Sequence, residues 1–342
     1  MHPFGPVGPK GQRLGDRDVR GHGTSWELGH AKGLLNLLNG GFQGALFPVH
    51  SGADVVQSVR AYRHIADIAE TIDLAVVVVP AEVVVKVARE CAAKGVRALV
   101  VISSGFAEEG EQGQRRQAEL IDMCSSSGMR VVGPNCMGII NADPRVCINA
   151  IFGPTAPEPG PIGFLSQSGA LGLAVIDATR KLGLGISNFV SVGNKSDISG
   201  NDLLGFWETD PRTKVVGLYL ESFGNPRKFA EIAGRVSTSK PIVVLKSGTG
   251  IAGRRAVASH TAALVSASDT AVSACLTRLG RYALKALAKC SICWLYCRHN
   301  PCRREIGSRS SPTQVDQASF VQTPAILVAL WWPPSVRIPS GN

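Results

Sequence analysis

His260 is the residue of this sequence with the clearest capacity for covalent chemistry, and it lies in the hexapeptide SHTAAL at residues 259–264. It comes shortly after an apolar run at residues 241–246, so we expect it in a loop at the carboxyl end of a parallel strand, where open α/β sheets bind ligands. Glu221 ends another apolar run, residues 215–220, and is expected at the same edge. A carboxylate beside one imidazole nitrogen fixes the tautomer and leaves the other nitrogen free as a nucleophile. The pair predicts a nucleophilic histidine and its orienting group, with a structural histidine and a solvated glutamate as the alternatives.

A second feature is the turn from an expected strand into an expected helix, which carries Ser166, Gln167, Ser168 and Gly169. The free backbone N–H groups and the dipole of a helix start both favour negative charge. Helix capping alone would also explain the two serines. We predict a phosphate-binding site at these four residues, with capping as the competing interpretation.

Three further loops follow expected strands in the first half of the chain. The residues that we expect to contact a ligand there are Val79, Pro80, Ser104, Gly105 and Asn135. Glycine and asparagine at strand ends permit positive φ and a close approach of the backbone to a ligand, although many such residues only form turns. Three loops at one edge of a sheet predict a crevice for a nucleotide-bearing cofactor.

Three other sequence patterns are weak indications of a metal or nucleotide site. Residues 248–253 fit the pattern GxGxxG, but two arginines follow where the packed helix of a dinucleotide site should begin. The phosphate-binding pattern GxxxxGK[ST] does not occur, so no P-loop ATP site is expected. The four cysteines within residues 290–302 lack the paired CxxC spacing of a zinc site. We therefore expect no metal site and no NAD site.

The elements that must position these residues form two series of short apolar runs alternating with amphipathic stretches. This alternation is typical of parallel sheets with crossover helices. The proline-rich residues 153–160 interrupt it and predict a linker. We expect an α/β protein with two doubly wound parallel sheets. The predicted parts are an irregular segment at 1–27, a nucleotide-binding-like domain at 28–150, a second domain at 161–280 and an irregular tail at 281–342.

The amino-acid composition and the charge distribution exclude some classes of protein. The chain has 342 residues, of which 44% are hydrophobic and 18% charged, as expected for a globular α/β protein. No apolar run approaches the roughly 20 residues that a spanning helix needs, and the start lacks the apolar core of a signal peptide, so we expect a cytoplasmic protein that is not bound to a membrane.

The net charge of +10 is concentrated in the tail, where residues 281–342 contribute eight basic and two acidic side chains. No aromatic-interleaved basic stripe occurs elsewhere, and no nucleic acid partner is expected.

Both ends differ from the body of the chain. Residues 1–27 lack the apolar first strand of a Rossmann-type domain, and the tail is rich in Cys, Trp, Arg and Pro without sustained periodicity. A shifted reading frame would produce such a change in the tail, and an ordinary disordered tail is the alternative.

Six motifs occur in a recognisable order: SSGFAE, GPNCMG, LSQSGALG, YLES, LKSG and SHTAAL. Over residues 28–280 this order resembles the NDP-forming acyl-CoA synthetases, which include ADP-forming acetate–CoA ligases and the α subunit of succinyl-CoA synthetase. The resemblance implies a Rossmann-like CoA-binding domain followed by a flavodoxin-like succinyl-CoA-ligase domain. It also implies that His260 is the transiently phosphorylated histidine and that Glu221 is the glutamate that steadies it.

The reaction implied by the resemblance is acid + CoA + ATP ⇌ acyl-CoA + ADP + phosphate, with an acid–CoA ligase carrying the phosphoryl group on His260. ATP or ADP with Mg²⁺ requires an ATP-grasp domain, which this sequence lacks. The expected partners are therefore CoA, a small carboxylic acid or acyl phosphate, and an ATP-grasp subunit or fused domain.

Two departures from the family pattern keep other interpretations open. Residues 49–52 read VHSG where the family usually has VNPK, which removes a lysine suited to a CoA phosphate, and Ala262 replaces a glycine. These changes favour a module that senses CoA or acyl-CoA without turnover. A truncated, inactive fragment or a frameshifted product with no stable function is a third possibility. The frameshifted product would unfold with poor cooperativity, because loss of the first strand exposes a sheet edge.

Overall fold

The structure, a computed structural model, describes residues 27–154, 156–246, 282–283 and 326–330, and it describes side chains at residues 33–154 and 156–245. The helices of this part of the chain are α1 Glu27–Asn39, α2 Ala81–Ala93, α3 Glu111–Ser126, α4 Gly169–Lys181, α5 Gly200–Thr209 and α6 Pro226–Val236. Its strands are β1 Leu46–His50, β2 Val55–Val56, β3 Val59–Arg60, β4 Leu74–Val78, β5 Ala98–Val101, β6 Arg130–Val132, β7 Gly138–Asn141, β8 Ile148–Ile151, β9 Pro159–Ser166, β10 Ile186–Ser191, β11 Val215–Leu220, β12 Ile242–Lys246, β13 Tyr282–Ala283 and β14 Ile326–Leu330. The strands and helices expected from the alternating pattern are confirmed within a few residues.

The first sheet has the order β1-β14-β4-β5-β6. Strands β4, β5 and β6 are parallel, as predicted. The tail strand β14 lies between β1 and β4 and is antiparallel to both. A strand from the tail, which was expected to be irregular, therefore lies second from the edge of this sheet, between β1 and β4.

The second sheet has the order β13-β12-β11-β9-β10-β7-β8. Its central strands β9 to β12 are parallel, whereas β7 pairs antiparallel with β10 and β8 antiparallel with β7. The chain from Gly138 to Ile151 was expected in the first domain, but it pairs with this sheet. The predicted linker at 153–160 therefore follows β8 of this sheet, and its last two residues, 159 and 160, belong to β9 of the same sheet. The domain limits given above stay a prediction.

Local sequence explains where the helices begin and which face they bury. The buried residues of α2 recur every three or four positions, as in an amphipathic helix, and they are Ala81, Val84, Val85, Ala88 and Cys91. The Ser199 side chain and Asp202 form a capping box at the start of α5. At α6, the Asn225 side chain accepts a hydrogen bond from Lys228 N, and Pro226 occupies the first turn.

The two sheets are held together by a shared core and by an ion pair. One hydrophobic cluster combines residues of α1, the first sheet and β8: Leu34, Leu37, Leu74, Val76, Ala98, Val100, Ile148 and Ala150. The Arg130 guanidinium of β6 donates to both carboxylate oxygens of Asp197 at 2.9–3.1 Å, and Asp197 also accepts from Val131 N at 2.7 Å. Bidentate pairing of this kind fixes geometry as well as charge, so it fixes β6 against the segment that follows β10.

The buried carboxyl group of Asp143 makes stability depend on pH. The Arg145 side chain donates to Asp143 Oδ2 at 2.7 Å, and Arg212 lies 3.6 Å from the same oxygen. The side-chain hydrogen bonds from Arg145 are the main cause that lowers the pKa of Asp143 from 3.8 to about 2. Because folding lowers this pKa, the stabilisation is complete above pH ~4 and is lost as pH falls through about 2.

We therefore expect Asp143→Asn to remove part of the pH dependence of unfolding between pH ~4 and ~2. Denaturant unfolding across that range, with Asp177→Asn of a surface pair as control, measures the difference. An unchanged slope in Asp143→Asn, or an NMR pKa near the ordinary value, would show that the Arg145 contact has no such effect.

No helix among the described residues is both long and apolar enough to cross a bilayer.

Candidate functional site

The ends of β4 and β5 are joined by Ser103. Its hydroxyl donates to Val79 O at 2.5 Å and accepts from Val79 N at 3.0 Å, while Ser103 O accepts from Asn135 N at 2.9 Å. Ser104, the next residue, is exposed, and Pro80 is the N-cap residue of α2. The predicted contact residues after β4, β5 and β6 are therefore brought to one edge of the first sheet.

Gly105 allows the loop after β5 to turn tightly against α2. Its φ is +97°, and a Cβ at this position would lie 2.8 Å from the Ala81 Cβ. The Glu108 carboxylate accepts hydrogen bonds from Gly105 N at 2.7 Å and from Phe106 N at 3.2 Å, and the Arg116 side chain donates to Gly105 O. The backbone of this loop is thus fixed by its own side chains, and its conformation suits close approach to a ligand.

The loop after β6 lies against the segment that follows β10, which we call the 193–198 loop. Asn135 has a φ of +57°, and its side-chain amide donates to Asn194 Oδ1 at 3.3 Å. Gly193 has a φ of +49°, and a Cβ there would overlap the carbonyl oxygens of Pro134 and Asn135. A glycine is therefore required at position 193 for this contact.

The start of α4 was the predicted phosphate site, and its side chains have clear structural roles. Ser166 is fully buried and donates its hydroxyl to Ser168 O at 2.6 Å. The Ser168 hydroxyl caps α4 by accepting from Leu171 N at 3.5 Å. A Cβ at Gly169 would overlap the Met137 side chain, and Met137 N donates to Ser191 Oγ at 3.0 Å. The helix start consequently lies directly against the loop after β6.

Glu221 and Gln167 meet where β9 and β11 end. Glu221 is 4% exposed, and the Gln167 Oε1 atom accepts from Glu221 N at 2.6 Å and from Ser222 N at 2.9 Å. Gln167 therefore stabilises the turn that contains Glu221. This role of its side chain differs from the direct contact with phosphate that the sequence predicts. The Lys195 ammonium group donates to Ser222 O at 2.8 Å and to Ser222 Oγ at 2.6 Å, which fixes the same turn from the other side.

The carboxyl edges of the two sheets thus converge on one region. The structure brings the candidate residues of the first sheet next to those at the start of α4, and it places Glu221 beside Gln167. His260 lies outside the described residues, as do the cysteines of the tail. No cluster of His, Cys, Asp or Glu suited to a metal occurs among the residues that the structure describes.

Several residues of this region were not predicted as site residues. They are Glu108, Gln117, Met137, Ser191, Asn194 and Lys195. The sequence GNKSD at residues 193–197 has the glycine, asparagine and serine of a turn after a strand, so its position was detectable. Its contacts with the other sheet depend on how the two sheets pack, which local sequence does not specify.

Two protein families match the chain. The succinyl-CoA ligase like flavodoxin domain matches residues 159–290, and a CoA binding domain matches residues 30–142. Together the two matches cover more than half of the chain, in the order that the motifs predicted.

Two related proteins match about 72% of the chain. The chain is 40% identical to the α subunit of the ADP-forming acetate–CoA ligase I of Pyrococcus furiosus over 251 residues, which is 72% of this chain and 54% of that subunit. It is 36% identical to the ADP-forming 4-hydroxybutyrate–CoA ligase of Nitrosopumilus maritimus, over 72% of this chain and 35% of that protein.

A solved structure shows the same fold. The acetyl-coenzyme A synthetase 1 of Candidatus Korarchaeum cryptofilum, in complex with phosphate and ADP, superposes with a TM-score of 0.71 at 39% identity. The match covers 76% of this chain and 55% of that one, so the chain spans about half the length of this protein and of the Pyrococcus subunit. With the two domain matches and these identities, the chain belongs to the NDP-forming acyl-CoA synthetases, and it has their CoA-binding and succinyl-CoA-ligase-like parts.

Proposed function

We propose that this chain is the CoA-handling and phosphoryl-carrying part of an ADP-forming acid–CoA ligase. The observation that supports the proposal is the close approach of the Met137 side chain to Gly169, because Met137 follows the loop after β6 and Gly169 begins α4. Acyl transfer between a thioester and phosphate requires both groups within bonding distance. A CoA crevice and a phosphate site that both border on Met137 and Gly169 would meet this requirement.

In the direction of acid formation, phosphate attacks the thioester carbonyl of an acyl-CoA, the C–S bond breaks, and CoA leaves as the thiol with an acyl phosphate as product. A nitrogen of His260 then attacks the phosphorus atom, the P–O bond to the acyl group breaks, and the free carboxylate leaves. An NDP finally takes the phosphoryl group from His260. The reverse sequence activates the acid at the expense of an NTP.

Each candidate residue has a role in this scheme. The loops that carry Val79, Pro80, Ser104, Gly105 and Asn135 would hold CoA, since their backbone is fixed and approachable at one edge. The amide groups at the start of α4, from Ser168 to Gly169, would face the charge of the phosphate. Ser166 and Gln167 would act behind them, by bracing Ser168 and the turn of Glu221. Glu221 would orient the His260 ring.

The nucleotide step requires a partner. We propose an ATP-grasp subunit or fused domain that binds ADP or ATP with Mg²⁺, because the family reaction uses these nucleotides and the GxxxxGK[ST] pattern does not occur in this sequence. The two curated relatives named above act, by name, on acetate and on 4-hydroxybutyrate, which supports a small carboxylic acid as substrate. We further propose a cytoplasmic location, where CoA, ADP and phosphate are available together.

The test combines the purified chain with a separately produced ATP-grasp subunit of a related ligase. ATP formation from acetyl-CoA, ADP and phosphate, dependent on both proteins, is the expected result. If no ATP forms while calorimetry still detects CoA binding, the ligase proposal fails and the CoA-sensing module becomes the better account.

A further inference from the structure

We propose that Asn194 is a positioning residue that fixes the CoA crevice relative to the phosphate site. The inference rests on the proposed function. The observation that supports it is a set of hydrogen bonds between a loop of the second sheet and residues at the edge of the first sheet. Asn194 lies in the 193–198 loop after β10 of the second sheet, and its side chain contacts α3 and two loops at the edge of the first sheet.

The Asn194 amide has both donors and its acceptor engaged. Its Nδ2 group donates to Glu108 Oε2 at 2.6 Å and to Gln117 Oε1 at 2.9 Å, and its Oδ1 accepts from Asn135 at 3.3 Å. A rotated amide would place its oxygen against two acceptors, so only one orientation is compatible with these partners. The three contacts therefore define the position of the side chain uniquely.

Two partners of Asn194 are themselves hydrogen-bonded to the backbone of the predicted CoA loop. The second oxygen of Glu108 accepts from Gly105 N and Phe106 N, and Gln117 Oε1 also accepts from Ala107 N at 3.4 Å. Asn194 thus acts on the loop after β5 through two intermediates, Glu108 and Gln117. It acts on the loop after β6 through Asn135.

The same loop also holds the other half of the site. Lys195, the next residue, donates to the carbonyl and hydroxyl oxygens of Ser222, which follows Glu221. The 193–198 loop itself pairs with the residues after β6, because Asn194 N donates to Pro134 O at 3.0 Å. Two consecutive residues therefore connect the predicted CoA loops with the turn that contains Glu221. A fixed separation matters because a displacement of about 1 Å can slow a positioned reaction ~100-fold.

The test measures the rate at which the full chain takes label from acetyl-CoA and labelled phosphate, together with its CoA affinity and unfolding temperature. For Asn194→Ala we expect the maximal labelling rate to fall at least ~30-fold, while the dissociation constant for CoA changes less than about threefold. Asn194→Asp keeps the shape but presents a carboxylate to Glu108 and Gln117, so its rate should fall at least as far.

The matched control is Asn36→Ala. The Asn36 amide also donates two hydrogen bonds between elements, to Ile151 O at 3.0 Å and Gly153 O at 2.8 Å, and neither partner belongs to the 193–198 loop or to the loop after β5. Label in the wild type with an unchanged rate in both Asn194 variants would overturn the inference alone. Equal losses of rate and stability in Asn36→Ala would also overturn it, as a purely structural effect. Absence of label in the wild type would overturn the proposed function, and the inference with it. If Asn194→Ala does not fold, the isosteric Asp variant decides.

Discussion

A chain that lacks residues 326–330 is expected to lose the cooperative unfolding transition of its first sheet. Strand β14 pairs along its whole length with both β1 and β4, from Leu46↔Leu330 to Ile326↔Val78. Its removal would separate β1 from the rest of the sheet and leave one edge of β4 unpaired, with β5 on its other side. Each unsatisfied buried backbone group costs ~1–3 kcal/mol, so the total approaches the whole stability of a typical domain.

Differential scanning calorimetry of the deletion variant measures this effect. The matched control removes residues 331–342 and keeps β14, and we expect it to preserve the transition. A finer variant is Val328→Pro, since Val328 pairs with Pro48 on one side and Val76 on the other, and proline cannot donate to the ladder. An unchanged transition in the deletion variant would show that β14 is not part of the stable sheet, and would return the tail to the irregular segment that the sequence predicted.

Replacing Glu221 with Gln is expected to slow phosphorylation of His260 by ~10²–10⁴-fold, which is the range found when a charged group that orients a histidine is made neutral. The fold should be little affected, because Gln167 accepts from the backbone N–H groups of Glu221 and Ser222, and these contacts do not involve the Glu221 side chain. CoA affinity should stay the same, since the CoA loops belong to the other sheet.

The initial rate of label incorporation into the Glu221→Gln chain checks this expectation. Glu208→Gln makes the same chemical change in the exposed pair with Arg235 and should label at the wild-type rate. A Glu221→Gln rate within about threefold of wild type would mean that another group orients His260.

Local sequence was sufficient for most of the fold. Strands β4, β5, β9, β10, β11 and β12 and helices α2 to α6 follow from apolar periodicity and from caps such as Ser199 and Asn225. The convergence of Val79, Gly105 and Asn135 also followed, because parallel strands place their carboxyl ends at one edge.

Strand pairing over long distances could not be predicted in the same way. Residues 326–330 are apolar, but the pairing of β14 with β1 and β4 joins distant parts of the chain and has no local signal. The hairpin of β7 and β8 likewise suits either sheet by its pattern, and its membership is decided by packing against β10. At the candidate site, Gln167 and Ser166 were predicted as phosphate-binding residues from their types and position. Their burial and hydrogen bonds give them structural roles that only the assembled structure reveals.

The most direct test of the account is phosphohistidine formation on the purified chain. The chain is incubated with acetyl-CoA and labelled phosphate, with and without a related ATP-grasp subunit, and His260→Ala is treated in parallel. We expect an acid-labile, base-stable label on the wild-type chain that is absent from His260→Ala. No label in either tube, with CoA binding still detectable, would contradict it and would identify a CoA-sensing module instead.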